Sequence, residues 1–136
     1  MTQSKMWTVA GVVLVALAGV VLAQNSGLTR TLVTTADVSV PNREAVVARV
    51  ELAPGGVVGW HTHPGDEVSY VTDGETTLLV AGQPPRKVVA GEGFVIPAGV
   101  VHSAKNEGNS PTKLIAVYIV EKGKPLAAVA SAPPQY

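Results

Sequence analysis

Residues 55–67 read GGVVGWHTHPGDE, and a single threonine separates the two histidines of this stretch. Because alternate side chains of a β-strand point to the same face, His61 and His63 should project together if the stretch is extended. Pro64-Gly65 then turns the chain, so Glu67 can return on the same side. The stretch therefore predicts two imidazoles and one carboxylate gathered on one face of a β-structure.

The third histidine of the chain, His102, follows the turn residues Pro97-Ala98-Gly99 and begins a later β-rich run. Three imidazoles and one carboxylate suit a divalent transition metal and leave positions open for water or a ligand. The chain has no cysteine, which excludes thiolate and iron–sulfur sites. Histidines with this spacing also occur without a metal, and composition alone does not require His102 to join the others.

The chain from Leu28 onward has the pattern of an all-β protein. No segment keeps a helical apolar period, and short β-rich runs alternate with turn residues. Nine strands are predicted, over residues 28–35, 45–52, 57–62, 67–72, 76–81, 86–90, 93–96, 101–106 and 113–120. Many short strands with regular turns predict a sandwich or a small barrel.

Two segments carry further expectations about how the strands pair. Asp73-Gly74 lies between two predicted strands, and this dipeptide is a strong signal for a tight hairpin because both residues tolerate positive φ. Residues 112–120 read TKLIAVYIV and are almost continuously apolar. We expect this run to form a strand that is buried on both faces and suited to an oligomer interface.

The two ends of the chain differ from its middle. Residues 6–23 are apolar and uncharged, Lys5 precedes them and Ala23 ends them, which is typical of a secretory signal peptide cleaved before Gln24. The alternative is an uncleaved anchor facing the periplasm, since a run of about 18 apolar residues can just span a bilayer. We expect a periplasmic or secreted protein with a signal peptide at 1–23, a β-domain at 24–124 and a weakly ordered tail at 125–136.

Length and charge narrow the possible partners. The chain has 136 residues, which suits one domain, and its 10 basic residues equal its 10 acidic ones. Zero net charge argues against nucleic-acid binding, which usually shows a basic excess or patch. After cleavage no segment is expected to span a membrane. A small-molecule ligand or substrate is therefore the expected partner.

Ten residues match the two sequence motifs of the cupin superfamily. The first motif, G-x5-H-x-H-x3-E-x6-G, is matched by Gly55, His61, His63, Glu67 and Gly74. The second motif, G-x5-P-x-G-x2-H-x3-N, is matched by Gly91, Pro97, Gly99, His102 and Asn106. The chain thus resembles a small single-domain cupin with an export signal.

This resemblance implies both a fold and a metal site. The fold would be an all-β, jelly-roll-type β-barrel that forms a homodimer through its outer strands. The metal, one of Fe, Mn, Ni, Cu, Co or Zn, would be held inside the barrel by His61, His63, Glu67 and His102. Asn106 is expected to be structural, because it leads into a turn at Gly108-Asn109.

Strand alternation predicts which side chains line the site. If His61 points inward, Gly59 and Val57 should do so as well, and Trp60 should point outward. If Glu67 points inward, Ser69 follows it while Tyr70 faces out. The predicted lining is small and mostly apolar, with Ser69 as its polar contact. The remaining predictions place Val71 and Ala104 inside, Phe94 and Ile96 on one face, and Asp66 in solvent.

Two classes of function fit these observations. The first is a metal-dependent dioxygenase similar to quercetin dioxygenase, acting on a small hydroxy-carbonyl or aromatic substrate, with Glu67 as its candidate base. An isomerase or a lyase stays open, and an oxalate-type decarboxylase is less favoured because no second carboxylate is evident on a lid. The second class is a non-enzymatic module that binds a metal or a small ligand. A third hypothesis, beside these two classes, is a structural protein whose barrel retains a metal without any activity.

Overall fold

The computed structural model describes Asn25–Pro134, and all regular elements in that range are β-strands, which confirms the all-β prediction. The strands are β1 (Ser26–Asp37), β2 (Arg43–Thr62), β3 (Gly65–Asp73), β4 (Glu75–Val80), β5 (Arg86–Val89), β6 (Gly93–Ile96), β7 (His102–Lys105), β8 (Thr112–Glu121) and β9 (Ala128–Val129). The predicted signal peptide at 1–23 lies outside the described residues. No helix within the described range is long and apolar enough to cross a membrane.

The strands form one continuous hydrogen-bonded sheet of nine strands, and β2 divides it into two parts, which we call the first and second sheets. In the first sheet, the order is β1-β2-β8-β3-β6, and in the second it is β9-β2-β7-β4-β5. Strands β3 to β8 pass repeatedly from one sheet to the other, and all of their pairings are antiparallel. The result is a nearly closed barrel whose interior lies between the two sheets.

Strand β2 is one strand where the sequence predicts two, at 45–52 and 57–62. Its first part pairs with β1 and β8, and its last residues pair with β7 and β9. At the expected break, Gly55 has φ 73° and its N–H donates to the Asn106 carbonyl at 2.9 Å, while the Asn106 N–H donates to Gly56. These long-range bonds keep the chain extended, so the expected turn becomes the corner at which β2 changes sheets.

The hairpin predicted at Asp73-Gly74 is wrong. Strand β3 pairs with β6 and β8, whereas β4 pairs with β5 and β7, so the connection crosses between sheets. Gly74 does have the positive φ that the motif requires, at 73°. A Cβ there would overlap the carbonyl of Pro111, so packing as well as backbone conformation requires glycine.

The core consists of two apolar clusters, and half-buried Leu114 packs against both. The first cluster is Ala48, Val50, Ala116, Tyr118 and Val120, and the second is Val71, Leu78, Val88 and Ile96. One face of β8 is mostly buried, since only Leu114 on it is half-buried. The other face, with Ile115, Val117 and Ile119, is half-buried, so the prediction that this strand is buried on both faces is wrong.

The C-terminal tail makes defined contacts, although the sequence predicts weak order for 125–136. Leu126 packs against the first core cluster, and β9 pairs with His61 and Thr62 of β2. The N–H of Ala130 also donates to the Trp60 carbonyl at 2.9 Å. The segment from Leu126 to Ala130, which we call the strap, therefore lies along the end of β2 that carries the histidines.

Candidate metal centre

Three strands bring the four motif side chains together at one end of the barrel. His61 lies at the end of β2 and pairs in register with His102, the first residue of β7. Their ring centroids are 4.1 Å apart. The chain turns after His63 and returns as β3, which carries Glu67. The structure thus brings together all four residues that the sequence singles out.

The polar atoms of these side chains converge on one small volume. His63 Nε2 lies 3.0 Å from Glu67 Oε2, and His102 Nε2 lies 3.2 Å from the same oxygen. His61 Nε2 is 3.2 Å from His63 Nε2. The four candidate ligand atoms all lie within 4.8 Å of one another, and three of the four residues are buried.

Each imidazole also has a backbone carbonyl at its other nitrogen. The Nδ1 atoms of His61, His63 and His102 lie 2.7, 2.6 and 2.9 Å from the carbonyl oxygens of Gly59, Leu126 and Val100 respectively. A carbonyl can only accept a hydrogen bond, so each Nδ1 carries the proton. In the neutral rings every Nε2 therefore presents a lone pair to the centre.

This arrangement fits a divalent metal ion. Three imidazole lone pairs and one carboxylate oxygen face each other with no proton between the neutral rings, and a cation removes that repulsion. Nitrogen and carboxylate donors suit Mn, Fe, Co, Ni, Cu or Zn. Hydrogen bonding of the remote ring nitrogen is also the usual support of a metal-bound histidine.

The protonation states favour metal binding near neutral pH. Burial, and then the neighbouring His102 ring, lower the pKa of His61 to about 4. Burial alone would raise the pKa of Glu67, but the close contacts of its carboxylate with the His102 and His63 rings and the hydrogen bond from Ser69 hold this pKa well below its usual range. Both groups are therefore deprotonated at neutral pH, as ligands must be.

Ser69 was predicted to line the pocket, and the structure shows that it contacts Glu67 directly. It is 2% exposed, and its Oγ donates to Glu67 Oε1 at 2.7 Å. The other carboxylate oxygen, Oε2, is the one that faces His63 and His102. Ser69 thus holds one oxygen of Glu67 and leaves the second to the site.

The alternation predicted for β2 fails next to the site. Val58 and Ala104, which pair in register, line the cavity beside His61 and His102, whereas Gly59 lies at a separate cavity. A register shift between Val58 and His61 explains the difference, since a bulge changes which residues face inward. The prediction of inward Val57 and Gly59 is therefore replaced by inward Val58.

The orientations predicted along β3 and for Ala104 agree with the alternation, whereas Trp60, which was expected to point outward, is half-buried and lines the same cavity as Gly59. Ser69 and Val71 are buried, Ala104 lines the cavity, and Tyr70 is exposed. Asp66 is exposed as well, and its Oδ1 accepts a hydrogen bond from the N–H of Ala98 at 3.0 Å.

Asn106 lies away from the metal donors and has a structural environment. Its side chain is buried, and its Nδ2 donates to the carbonyls of Leu52 and Ser110 at 2.9 and 2.8 Å. Its Oδ1 accepts from the N–H of Gly108. These contacts join the β2 corner to the loop before β8, as expected for a structural residue.

Three residues near the site were not found from the sequence. Tyr118 is opposite Glu67 in the β3–β8 pairing, and its ring centroid is 4.7 Å from that of His63. Arg30 lines the same cavity, and Leu126 supplies the carbonyl to His63. The alternation of Leu28, Arg30 and Leu32 is visible in the sequence, but which face turns inward depends on the long-range pairing.

Comparison with known proteins agrees with the geometry. Residues 48–118, more than half of the chain, match the family described as "Cupin domain". Nectarin-1 from Nicotiana langsdorffii x Nicotiana sanderae is 39% identical over 97 residues, covering 63% of this chain. Because those residues are 42% of nectarin-1, the chain spans less than half of this relative.

Solved structures also align with the barrel. A cupin-like protein from Thermotoga maritima aligns with TM-score 0.64 and 24% identity, over 79% of this chain and 80% of that chain. An oxalate oxidase in complex with the substrate analogue glycolate aligns with TM-score 0.57 and 29% identity, over 68% of this chain and 50% of that one. The likeness to the Thermotoga maritima protein supports the fold alone. The oxalate oxidase is more similar to this chain in sequence, at 29% identity.

Replacing a donor should remove the metal. Purified wild-type protein is expected to hold about one transition-metal ion per chain, and His61→Ala and His102→Ala should each lower the content close to background. The matched control is Thr62→Ala, since Thr62 lies between two donors but is not one of them. Elemental analysis measures the content, and full occupancy in both histidine variants would show that the site is wrongly assigned.

Removing the strap should weaken metal binding by releasing His63. A chain ending at Lys124 lacks the Leu126 carbonyl and β9, and loss of such support typically costs roughly 10- to 100-fold in metal affinity. A chain ending at Ala130 keeps both contacts and should bind like the full chain. Competition with a chelator measures the affinities, and thermal unfolding of the metal-free proteins checks that both fold. Equal affinities would contradict a role for the strap.

Proposed function

The chain belongs to the cupin family, and from this premise we propose that it holds a divalent transition metal and uses it to act on a small hydroxy-carbonyl or aromatic compound. The proposed ligands are His61, His63, Glu67 and His102. The main support for the proposal is that one acceptor atom of each of these four residues lies in the same small volume. The Nδ1–H of each histidine donates to a backbone carbonyl, which leaves Nε2 available for the metal.

A metal bound there would supply Lewis acidity to a chelating substrate. The chain itself provides the surroundings for that chemistry. Leu78, Phe94, Ala104 and Leu114 form apolar walls beside the donors, which exclude water and strengthen electrostatic interactions. Glu67 is the candidate proton acceptor, and the hydrogen bond from Ser69 would hold its carboxylate in place.

We propose oxidation by dioxygen as the reaction class, in the manner of a cupin dioxygenase. The likeness to an oxalate oxidase bound to glycolate supports oxidative chemistry on a small oxygen-rich compound. Glycolate has a carboxylate next to a hydroxyl group, which is the arrangement that a metal can chelate through two oxygens. The identity of the metal belongs to the same proposal and is open among Fe, Mn, Ni, Cu, Co and Zn.

A non-enzymatic binding module is the second candidate. It is favoured because neither Tyr118 nor Glu67 is a strong base near neutral pH. Burial, followed by the negative charge of Glu67, raises the pKa of Tyr118 to about 12, so its hydroxyl stays protonated. The contacts with His102, His63 and Ser69 that lower the pKa of Glu67 make its carboxylate a weak base. Within the described cavity lining, no acid–base residue lies outside the donor set apart from Tyr118 and Arg30.

Oxygen uptake separates the two candidates. Metal-loaded wild-type protein and Thr62→Ala are expected to consume dioxygen with at least one substrate from a panel of glycolate, a catechol, a flavonol and a β-diketone. His102→Ala should show only background uptake because it lacks a donor. An oxygen electrode gives the rates. Metal binding without uptake across the panel would favour the binding module instead.

We also propose that the mature protein begins at Gln24, acts in the periplasm or outside the cell, and forms a homodimer. The apolar segment at 6–23 supports export. Exposed Val68, Tyr70 and Val95, at 45%, 51% and 61%, support association through the outer face of β3 and β6. Residues 24–124 would form the barrel domain, followed by a tail that includes the strap.

Native mass spectrometry of protein from the periplasmic fraction tests this mature form. The expected spectrum shows a dimer, and its denatured mass corresponds to a chain that starts at Gln24. Tyr70→Lys places a charge on the proposed interface and should shift the dimer to monomer, whereas Lys87→Glu on β5 of the second sheet should not. Full-length chain in the membrane fraction would contradict cleavage, and a monomeric wild type would contradict the dimer.

A further inference from the structure

Arg30 is an exposed, positively charged residue that faces the inner side of the first sheet. It lies on β1 and pairs in register with Val50, whose side chain is only 7% exposed and belongs to the core. Residues paired across antiparallel strands share a face, so the Arg30 side chain is directed to the interior side. Because β1 pairs only with β2, Arg30 lies at an open edge of the barrel.

The guanidinium lies near the Tyr118 ring, which is a neighbour of the metal donors. Its central carbon lies 5.8 Å from the centroid of the Tyr118 ring, and that ring contacts the His63 ring. Arg30 lines the same cavity as His61 and Glu67. The guanidinium and the donor residues His61, Glu67 and His102 therefore line one cavity together with Tyr118.

The charge of Arg30 is not neutralised by a carboxylate in the described chain. No salt bridge to Arg30 within 4.0 Å occurs among residues 25–134. Glu67, the one carboxylate that lines this cavity, is already held by His63, His102 and Ser69. A divalent metal with one carboxylate ligand would leave positive charge in the site, and Arg30 adds to it.

We infer that Arg30 binds the carboxylate of a small 2-oxo or 2-hydroxy acid whose neighbouring oxygen faces the metal donors. This inference rests on the proposed function and gives it a substrate class. A guanidinium matches a carboxylate through two parallel hydrogen bonds, so it selects charge and orientation together. The apolar walls at Leu78 and Phe94 would receive the hydrocarbon part of such an acid.

A charged probe and its neutral analogue test the inference directly. Pyruvate and its neutral ester methyl pyruvate both present two adjacent oxygens, but only pyruvate carries a charged carboxylate. Calorimetric titration of Co(II)-loaded wild-type protein should show tighter binding of pyruvate. Arg30→Gln should weaken the binding of pyruvate by at least about tenfold, while leaving the binding of methyl pyruvate unchanged. Arg30→Lys should retain part of the preference, because it keeps the charge but loses the two-pronged geometry.

The matched control is Arg49→Gln. Arg49 is also exposed, but it pairs with Thr31, next to Arg30, and faces the other side of the sheet. The Arg49→Gln variant should bind both probes like the wild type. Cobalt content, measured first by elemental analysis, should be the same in all variants. If Arg30→Gln keeps the pyruvate preference, or if the wild type shows none, the inference is wrong while the metal site stands. If the wild type fails to bind Co(II), the proposed metal site fails, and the inference with it.

Discussion

The hydrogen bonds from three histidine Nδ1 atoms to backbone carbonyls are the constraint on which this site depends. They assign the proton to the outer nitrogen of each ring, and the inner nitrogens are left as acceptors facing Glu67. Two of the carbonyls, at Gly59 and Val100, lie two residues before the histidine that they hold. The third, at Leu126, comes from the strap, so the centre is complete only when the C-terminal segment is in place.

The barrel topology is the means by which these groups meet. Strand β2 belongs to both sheets, and this continuity places His61 beside His102 of the second sheet while His63 leads into β3 of the first. The corner that allows it is held by reciprocal backbone bonds between Asn106 and the Gly55-Gly56 pair. The glycines and the asparagine of the motifs therefore serve the topology, whereas the histidines and the glutamate serve the site.

This division explains what the sequence could and could not predict. Strand patterns predicted the all-β class, and local spacing grouped His61, His63 and Glu67, because both depend on neighbouring residues. His102 joined this group only through the resemblance to the cupin motifs. The crossing at Gly74, the inward orientation of Val58 and the carbonyl of Leu126 depend on pairings between segments far apart in sequence. A tight-turn dipeptide such as Asp73-Gly74 fixes the local dihedral angles, but it does not determine whether the flanking strands pair with each other.

Residues that are placed by long-range strand pairing are also the ones that could determine which ligand the cavity accepts, and they lie outside the motifs. The donor set can be assembled by any chain that conserves the local pattern, so it constrains the chemistry more than the substrate. The residues that distinguish this cavity, Arg30 on β1 and Tyr118 on β8, lie outside both motifs and reach the site only through sheet register. A guanidinium attracts anions, whereas apolar walls alone would favour neutral compounds. The role that we infer for Arg30 would therefore let the edge strand β1 contribute to ligand selection beside the metal donors.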